Sequence, residues 1–192
     1  MANFKILVVG DIMLDHYVYV ETTRNAPEAR IPVWDFSDEQ YRLGGAANVA
    51  NNLKALGGDD VDVFLAGIAS VKTRTMIQSC GINVDLCAGT DTMFKTRYVK
   101  NSDEIVMRYD NMTKFDEVDF SFFKDMLDHY SYQAFDAVIV SDYDKGTINP
   151  DVMAVVDSFG VKPVVVDSKR RDLRMFKGSS VLKINEHEFG IQ

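Results

Sequence analysis

Short, nearly continuous apolar runs recur along this chain, and they constrain the fold more than any other feature of the sequence. They cover residues 4–9, 61–66, 137–140, 164–166 and 181–184, and most are rich in Val or Ile. Runs without polar alternation are typical of strands that are buried on both faces of a parallel sheet. The sequence therefore predicts an α/β protein with a mostly parallel central sheet.

Segments with helical spacing separate these runs. Apolar residues between positions 46 and 56 fall on one helical face, and Gly57 and Gly58 then predict the end of that helix. A similar pattern runs from 118 to 130, and Pro150 begins a third predicted helix that ends near Phe159. Alternating strands and helices predict a layered fold with right-handed crossovers.

Two stretches, at about 16–36 and 92–110, do not fit this alternation. Both contain short alternating segments rich in aromatic and β-branched residues, which predict a small separate sheet inserted into the body. We interpret this sheet as a lid over a cleft. Its aromatic residues also suit a dimer contact, and the two roles are compatible. We expect residues 1–192 to form one domain with these two lid insertions.

The charge balance limits the classes of partner. The net charge is −8, from 29 acidic and 21 basic residues, so the surface repels nucleic acid and anionic membranes. A small phosphorylated ligand is still compatible with a local cluster of basic residues. The apolar run at the N-terminus is too short for a signal peptide or membrane span, and we expect a cytoplasmic protein.

Polar residues at the end of the first strand and before the first helix form the first candidate site. Asp15 follows the strand at the edge where open α/β sheets bind ligands, although Asp11 and Asp15 are equally compatible with turn capping. Gly44 and Gly45 precede the first helix, and Asn48 lies in its first turn. Free amides there suit an anion or a hydroxyl group, but a Gly-Gly pair is also an ordinary loop device.

Three cations lie on two consecutive strands of the predicted lid. If residues 101–104 form a hairpin turn, Lys95, Arg97 and Arg108 come to the same edge and suit a sugar phosphate. Solvated charges that protect a sheet edge are the alternative, and the commoner one.

Two further strand ends each offer Asp and Lys. Asp142 and Lys145 follow one strand, and Asp167 and Lys169 follow another. Lysines at this sheet edge suit a phosphoryl group during transfer, whereas turn capping is the alternative for either pair alone.

The last motif comprises Asn185, Glu186, His187 and Glu188, which follow the final apolar run. Asn185 and Glu188 have the spacing of a capping box, and they also suit Mg²⁺ and its waters. His187 is more typical of a surface residue than of a metal ligand.

Taken together, these motifs resemble those of the ribokinase-like (PfkB-type) carbohydrate kinases over essentially the whole chain. In detail, the segments at 10–15, 27–33, 44–50, 141–146 and 185–188 resemble the heptose-7-phosphate kinase domain of bacterial heptose kinase/ADP-heptose synthases. The resemblance implies a three-layer fold with a mostly parallel sheet and a small β lid. It also implies ATP and Mg²⁺ as cofactors, a sugar phosphate as substrate, and a homodimer formed through the lid.

The resemblance also implies roles for individual residues. Substrate ligands would be Asp15, Gly44, Gly45, Asn48, Lys95, Arg97, Arg108, Asp142 and Lys145. Nucleotide ligands would be Asp167, Lys169, Asn185, Glu186, His187 and Glu188, with Glu188 binding magnesium through water. The family's Gly-Ala-Gly-Asp motif, which supplies the catalytic base, has no match in the 192 residues. We therefore expect the C-terminal part of the fold to be missing and the isolated chain to be inactive.

Other functions of the same fold stay open. Relatives usually carry an acidic residue soon after Gly67, whereas this chain has Ile68, Ala69 and Ser70, which weakens the inference about the acceptor sugar. A fructose-type or nucleoside-type kinase is one alternative. A catalytically silent module that binds a sugar phosphate or supports assembly is the other.

Overall fold

The computed structural model describes residues 3–88, 92–101, 103–111, 120–130 and 133–184. The strands are β1 (Phe4–Gly10), β2 (Ile12–Asn25), β3 (Pro32–Gly44), β4 (Val61–Ala69), β5 (Asn83–Ala88), β6 (Met93–Lys100), β7 (Glu104–Asn111), β8 (Ala137–Asp142), β9 (Val164–Ser168) and β10 (Val181–Lys183). The helices are α1 (Gly45–Gly57), α2 (Val71–Ser79), α3 (Phe120–Tyr130) and α4 (Pro150–Ser158).

The predicted parallel central sheet is confirmed. Its six strands follow the order β10-β9-β8-β1-β4-β5, and every neighbouring pair is parallel. All five apolar runs lie in this sheet. The sixth strand, β5, and the helix before it, α2, were not predicted. The segment of α2 has the sequence VKTRTMIQS and buries only Thr73 and Ile77, so it leaves little apolar periodicity to detect.

Helices cover both faces of the central sheet. Alternate residues of β1 point to opposite faces, so Leu7 packs in one apolar cluster and Val8 in the other. The first cluster includes residues of α3 and α4, such as Leu127 and Val156, and the second includes residues of α1 and α2. The result is the expected three-layer α/β arrangement.

The second sheet has four strands in the order β3-β2-β6-β7, and we call it the lid. β2 pairs antiparallel with β3 and parallel with β6, and β6 pairs antiparallel with β7. Its first hairpin is longer than the predicted stretch at 16–36, because pairing continues down to Met13 and Gly44 beside the body. The hairpin predicted around residues 101–104 is present. Among the described residues, no helix combines the length and apolarity needed to cross a membrane.

Candidate functional site

A buried carboxylate at the end of β1 holds the loop that follows β8. Asp11 comes directly after β1 and is fully buried. Its oxygens accept hydrogen bonds from the backbone N–H groups of Tyr143 (2.7 Å), Lys145 (3.2 Å) and Thr147 (3.2 Å). Burial raises the pKa of the Asp11 carboxyl above its usual value. Asp11 thus has the turn-capping role that the sequence left open, and it presents residues 143–147 at the sheet edge.

Asp142, which the sequence analysis places among the substrate ligands, has partners inside the protein. Its side chain is fully buried, and its carboxylate accepts hydrogen bonds from the Ser168 hydroxyl (2.7 Å) and from Nε of Arg170 (2.8 Å). It also accepts one from the backbone N–H of Asp144 (3.0 Å). A buried carboxylate is stable in the fold when it has such partners. Asp142 therefore joins the ends of β8 and β9.

The Gly-Gly pair lies where the lid joins the body. Gly45 has a φ of 56°, in the left-handed region that favours glycine. A Cβ on Gly45 would lie 2.2 Å from the carbonyl oxygen of Asp11, and one on Gly44 would lie 3.0 Å from the Asp15 carboxylate. The structure thus brings Asp15, Gly44 and Gly45 together, and the exposed side chain of Asn48 follows in the first turn of α1.

One face of the lid carries two rows of mostly polar side chains. The row nearer the body, which we call the inner row, consists of Arg42, Asp15, Lys95 and Asp110. The next row, which we call the outer row, consists of Gln40, Tyr17, Arg97 and Arg108. Side chains two residues apart on a strand point to the same side of the sheet, so both rows share one face.

Ion pairs connect the two rows. Nη1 of Arg97 lies 2.6 Å from the Asp15 carboxylate, and Arg108 donates two hydrogen bonds of 2.7 Å to Asp110. The bonds from Arg108 lower the pKa of the Asp110 carboxyl. Arg97 and Arg108 are direct neighbours across β6 and β7, where like charges repel. The two carboxylates offset this repulsion.

Tyr143 connects the lid to the body. The ammonium nitrogen of Lys95, on the lid, lies 4.9 Å from the centroid of the Tyr143 ring. The ammonium nitrogen of Lys169, after β9, lies 4.3 Å from the same centroid. Burial lowers the pKa of Lys95, and the charges of Lys169 and Arg108 contribute in the same direction. Lys169, predicted to bind the nucleotide, therefore lies beside a predicted substrate ligand.

The remaining predicted residues are less closely grouped. Lys145 is half-buried in the loop that Asp11 holds. Asp167 forms a 2.6 Å ion pair with Lys183 between β9 and β10, and both side chains are exposed. Asn185, Glu186, His187 and Glu188 lie outside the described residues. Within the described ranges, no group of three or more His, Cys, Asp or Glu side chains is placed to hold a metal ion.

The structure adds residues that sequence reasoning missed. The guanidinium carbon of Arg42 lies 4.9 Å from the ring centroid of Tyr17, and that of Arg97 lies 5.2 Å from it. Nε of Arg170 lies 2.8 Å from the Asp142 carboxylate, and Nη1 of Arg170 lies 3.0 Å from the Asp144 carboxylate. The one available sequence signal for Arg42 was its position two residues before Gly44. Its position beside Tyr17 depends on the pairing of β2 with β3.

The match to the family model of "pfkB family carbohydrate kinase" extends over residues 3–191. The chain is 36% identical over 196 residues to the bifunctional protein HldE of Geotalea uraniireducens, covering 97% of this chain and 40% of that protein. It is also 36% identical over 197 residues to HldE of Geobacter sulfurreducens, covering 95% and 39% respectively. The chain thus spans about two fifths of the length of these curated relatives.

Solved structures support the same fold. Ribokinase of Arabidopsis thaliana, complexed with ribose and ATP, superposes with a TM-score of 0.64 at 18% identity, covering 98% of this chain and 62% of that chain. Ribokinase of Giardia lamblia gives a TM-score of 0.66 at 17% identity, covering 97% and 59%. At these identities the likeness establishes a ribokinase-like fold. The family model, which matches residues 3–191, shows that the chain belongs to the pfkB family of carbohydrate kinases.

Proposed function

We propose that this chain binds a sugar phosphate as the acceptor for phosphate transfer from ATP, and that the acceptor is a heptose 7-phosphate. One observation carries the proposal. The lid face that meets the body contains Arg42, Lys95, Arg97 and Arg108, and Lys169 joins them from the body. Only two carboxylates, Asp15 and Asp110, lie in the same two rows. A cationic lid face in a chain of net charge −8 favours a small anionic ligand.

The roles of the acceptor ligands follow from their positions. Asp15, beside Gly44 and Gly45, is available to accept hydrogen bonds from sugar hydroxyl groups. Asn48 and Lys145 complete the proposed set of acceptor ligands. Lys95, Arg97 and Arg108 are the proposed ligands of the acceptor phosphate. The heptose assignment is supported by the motif resemblance and by the 36% identity to the HldE proteins.

Fewer observations support the residues that we propose bind the nucleotide. Lys169 fits a phosphate of ATP by its charge and by its place at the end of β9. Asp167, Asn185, Glu186, His187 and Glu188 complete the proposed set, with Glu188 binding magnesium through water. ATP with magnesium supplies the phosphoryl group. In the transfer, the acceptor oxygen forms a bond to the γ-phosphorus, the bond from that phosphorus to ADP breaks, and the hydroxyl proton goes to a base.

The base is absent from this set of residues. The resemblance places it in a Gly-Ala-Gly-Asp motif, which the 192 residues do not contain. We therefore propose that these residues alone bind the acceptor but transfer phosphate slowly. Incubation with Mg-ATP and heptose 7-phosphate, followed by mass spectrometry for the bisphosphate, tests this point. Multiple turnover by the 192-residue chain would contradict it.

The back face of the lid supports the proposed homodimer. Met107 and Tyr109 alternate with Arg108 and Asp110 on β7 and therefore lie on the opposite face, where they are largely exposed. Phe36 on the edge strand β3 is 65% exposed. Exposed apolar residues on one small sheet favour a protein contact. The predicted cytoplasmic location stays a prediction.

Titration calorimetry with heptose 7-phosphate tests the acceptor assignment. We expect measurable binding to the wild-type chain and affinity at least about tenfold lower for Arg97→Gln. Arg24→Gln is the matched control, because Arg24 is an exposed lid arginine farther out on β2. The unphosphorylated heptose should bind both variants equally. Failure of the wild-type chain to bind heptose 7-phosphate would refute the acceptor assignment.

A further inference from the structure

A cavity of about 480 Å³ lies between the lid and helix α2, on the side of the lid opposite the cations. Its lid wall consists of Leu14, Tyr41 and Phe94, which lie on β2, β3 and β6. Its body wall is formed by α2 and by Ser70 directly before it. We call this cavity the back pocket. Its size falls within the range of small-molecule sites in proteins, about 300–1,000 Å³.

The lid wall of the back pocket is aromatic and held in place. The ring of Tyr41 stacks on that of His16, with centroids 4.3 Å apart and 3° between the planes. The ring of Phe94 meets Tyr41 edge to face at 6.3 Å. Leu14 and Met76 pack in the same apolar cluster as these two rings. The pocket therefore offers a flat apolar surface that suits a planar ring.

Hydroxyl groups at the body wall have partners within the protein. The side-chain oxygens of Ser70, Thr73 and Thr92 lie 2.5 to 3.0 Å from one another. The Ser79 hydroxyl donates a hydrogen bond of 2.7 Å to the carbonyl oxygen of Met76. Groups that are already hydrogen-bonded have little need of a ligand. The pocket thus favours an apolar ring over a sugar or another polyhydroxyl compound.

Lys72 adds a positive charge to the back pocket. Its ammonium nitrogen lies 5.8 Å from the centroid of the Tyr41 ring, and its side chain is exposed. Throughout the described ranges, no carboxylate forms an ion pair with Lys72. Glu39, which accepts a hydrogen bond from the Tyr41 hydroxyl, already contacts His16 at 2.8 Å. A cation beside an aromatic wall favours a ligand with a negative charge next to its ring.

We propose that the back pocket binds a small planar aromatic anion, with its ring against Tyr41 and Phe94 and its charged group beside Lys72. A cavity of this size accommodates a small molecule and is too small for a folded protein. The bound ligand contacts the lid and the body at the same time. It thereby fixes the position of the lid relative to α2.

The position of the pocket links it to the opposite face of the lid. Leu14, Tyr41 and Phe94 each directly precede an inner-row residue on the same strand. Successive residues of a strand point to opposite faces, so the same backbone holds the pocket wall and the inner row. A ligand in the back pocket should therefore change the affinity of the acceptor site. Only this consequence rests on the proposed function.

Two probes that differ in one charged group test the ligand class. Anilinonaphthalene sulfonate is an aromatic anion, and phenylnaphthylamine has the same rings without the sulfonate. In fluorescence titrations at low salt, Lys72→Gln should weaken the binding of the sulfonate about threefold and leave that of the amine unchanged. Lys124→Gln is the matched control, because Lys124 is an exposed lysine on α3, which packs on the other face of the central sheet. Equal effects of Lys72→Gln on the two probes would overturn the anion preference.

A second pair of variants tests the location. Thr75 lines the pocket and is exposed, so Thr75→Trp should fill the space without disturbing the core and weaken both probes at least about tenfold. Met107→Ser, on the exposed back of the lid, should leave both unchanged. Thermal unfolding verifies that each variant is folded. Loss of binding with Met107→Ser but not with Thr75→Trp would place the probes on the exposed lid face and overturn the proposal.

Light scattering during the titrations identifies a competing occupant. Probe binding that falls in step with self-association would assign the pocket to a second copy of the chain and also overturn the proposal.

The coupling is tested by titrating the sulfonate with and without saturating heptose 7-phosphate. We expect its affinity to change at least about threefold, and the affinity for heptose 7-phosphate to change by the same factor. If the chain does not bind heptose 7-phosphate, the proposed function fails, and the probe titrations still decide whether the back pocket is a site. If both ligands bind and neither affects the other, the coupling through the lid is overturned.

Discussion

The central sheet and the lid sheet use strands in opposite ways. Helices pack on both faces of the central sheet, and most side chains of its six parallel strands are apolar. The four lid strands leave both faces partly exposed, and one face carries charged side chains in register. Stability therefore comes mainly from burial in the body, whereas the lid contributes positioned charges at a modest cost in stability.

Carboxylates show the same difference. Asp11 and Asp142, in the body, are fully buried and hold backbone and side-chain groups of neighbouring loops. Asp15 and Asp110, on the lid, remain partly exposed and pair with arginines on the face toward the cleft. Asp11, Asp15 and Asp142 come from motifs that the sequence analysis places at ligand-binding strand ends, and Asp110 lies near the end of β7. Accessibility, which depends on the tertiary fold, separates structural carboxylates from candidate ligands.

The largest expected effect is on stability, in the body. Leu65 on β4 is fully buried in the core, so Leu65→Ala should lower the free energy of unfolding by about 3 kcal/mol. Leu56→Ala is the matched control, because Leu56 is 88% exposed and should change it by less than about 0.5 kcal/mol. Urea unfolding measures both. A similar small effect for the two variants would show that the body does not supply the stability.

The second largest expected effect is on ligand binding at Lys95, where the lid contacts the body. The pKa of Lys95 is lowered by burial, so its ammonium loses a proton at lower pH than an ordinary lysine. Anion binding requires the protonated form, and affinity should therefore fall as pH rises through this lowered pKa. As the pH rises from about 8 toward the ordinary lysine pKa of about 10.4, we expect the affinity for heptose 7-phosphate to fall more with the wild-type chain than with Lys95→Arg, since arginine stays charged.

Calorimetry at several pH values measures this difference. The second phosphate ionisation of the ligand, near a pKa of about 6, is complete in this range and does not contribute. Parallel pH profiles for the wild type and Lys95→Arg would contradict a role for the Lys95 charge.

The smallest effect is expected on the back face of the lid. Met107 on β7 is 49% exposed, so Met107→Ser should change the free energy of unfolding by less than about 0.5 kcal/mol. The same variant should shift the proposed dimer toward the monomer in light scattering at low protein concentration. A large loss of stability with no change in mass would place Met107 in the core of the protomer and remove it from an interface.

Local sequence patterns were sufficient to predict the central sheet, because strands buried on both faces must be apolar along their length. The same logic failed for α2 and β5, which lie toward one edge of the sheet and need fewer apolar residues. For the site, Asp15, Gly44 and Gly45 became candidates because they lie within or beside short motifs. Lys95, Arg97 and Arg108 were identifiable because a single hairpin relates them.

The sequence by itself determined the alternation of strands and helices, the existence of a lid and the identity of the cations on it. Only the tertiary structure decided that Arg42 and Arg97 share Tyr17, that Lys95 and Lys169 share Tyr143, and that Asp142 is buried. The physical reason is the range of the interactions. Burial and periodicity leave traces within a few residues, whereas pairing register and accessibility depend on segments far apart in the chain.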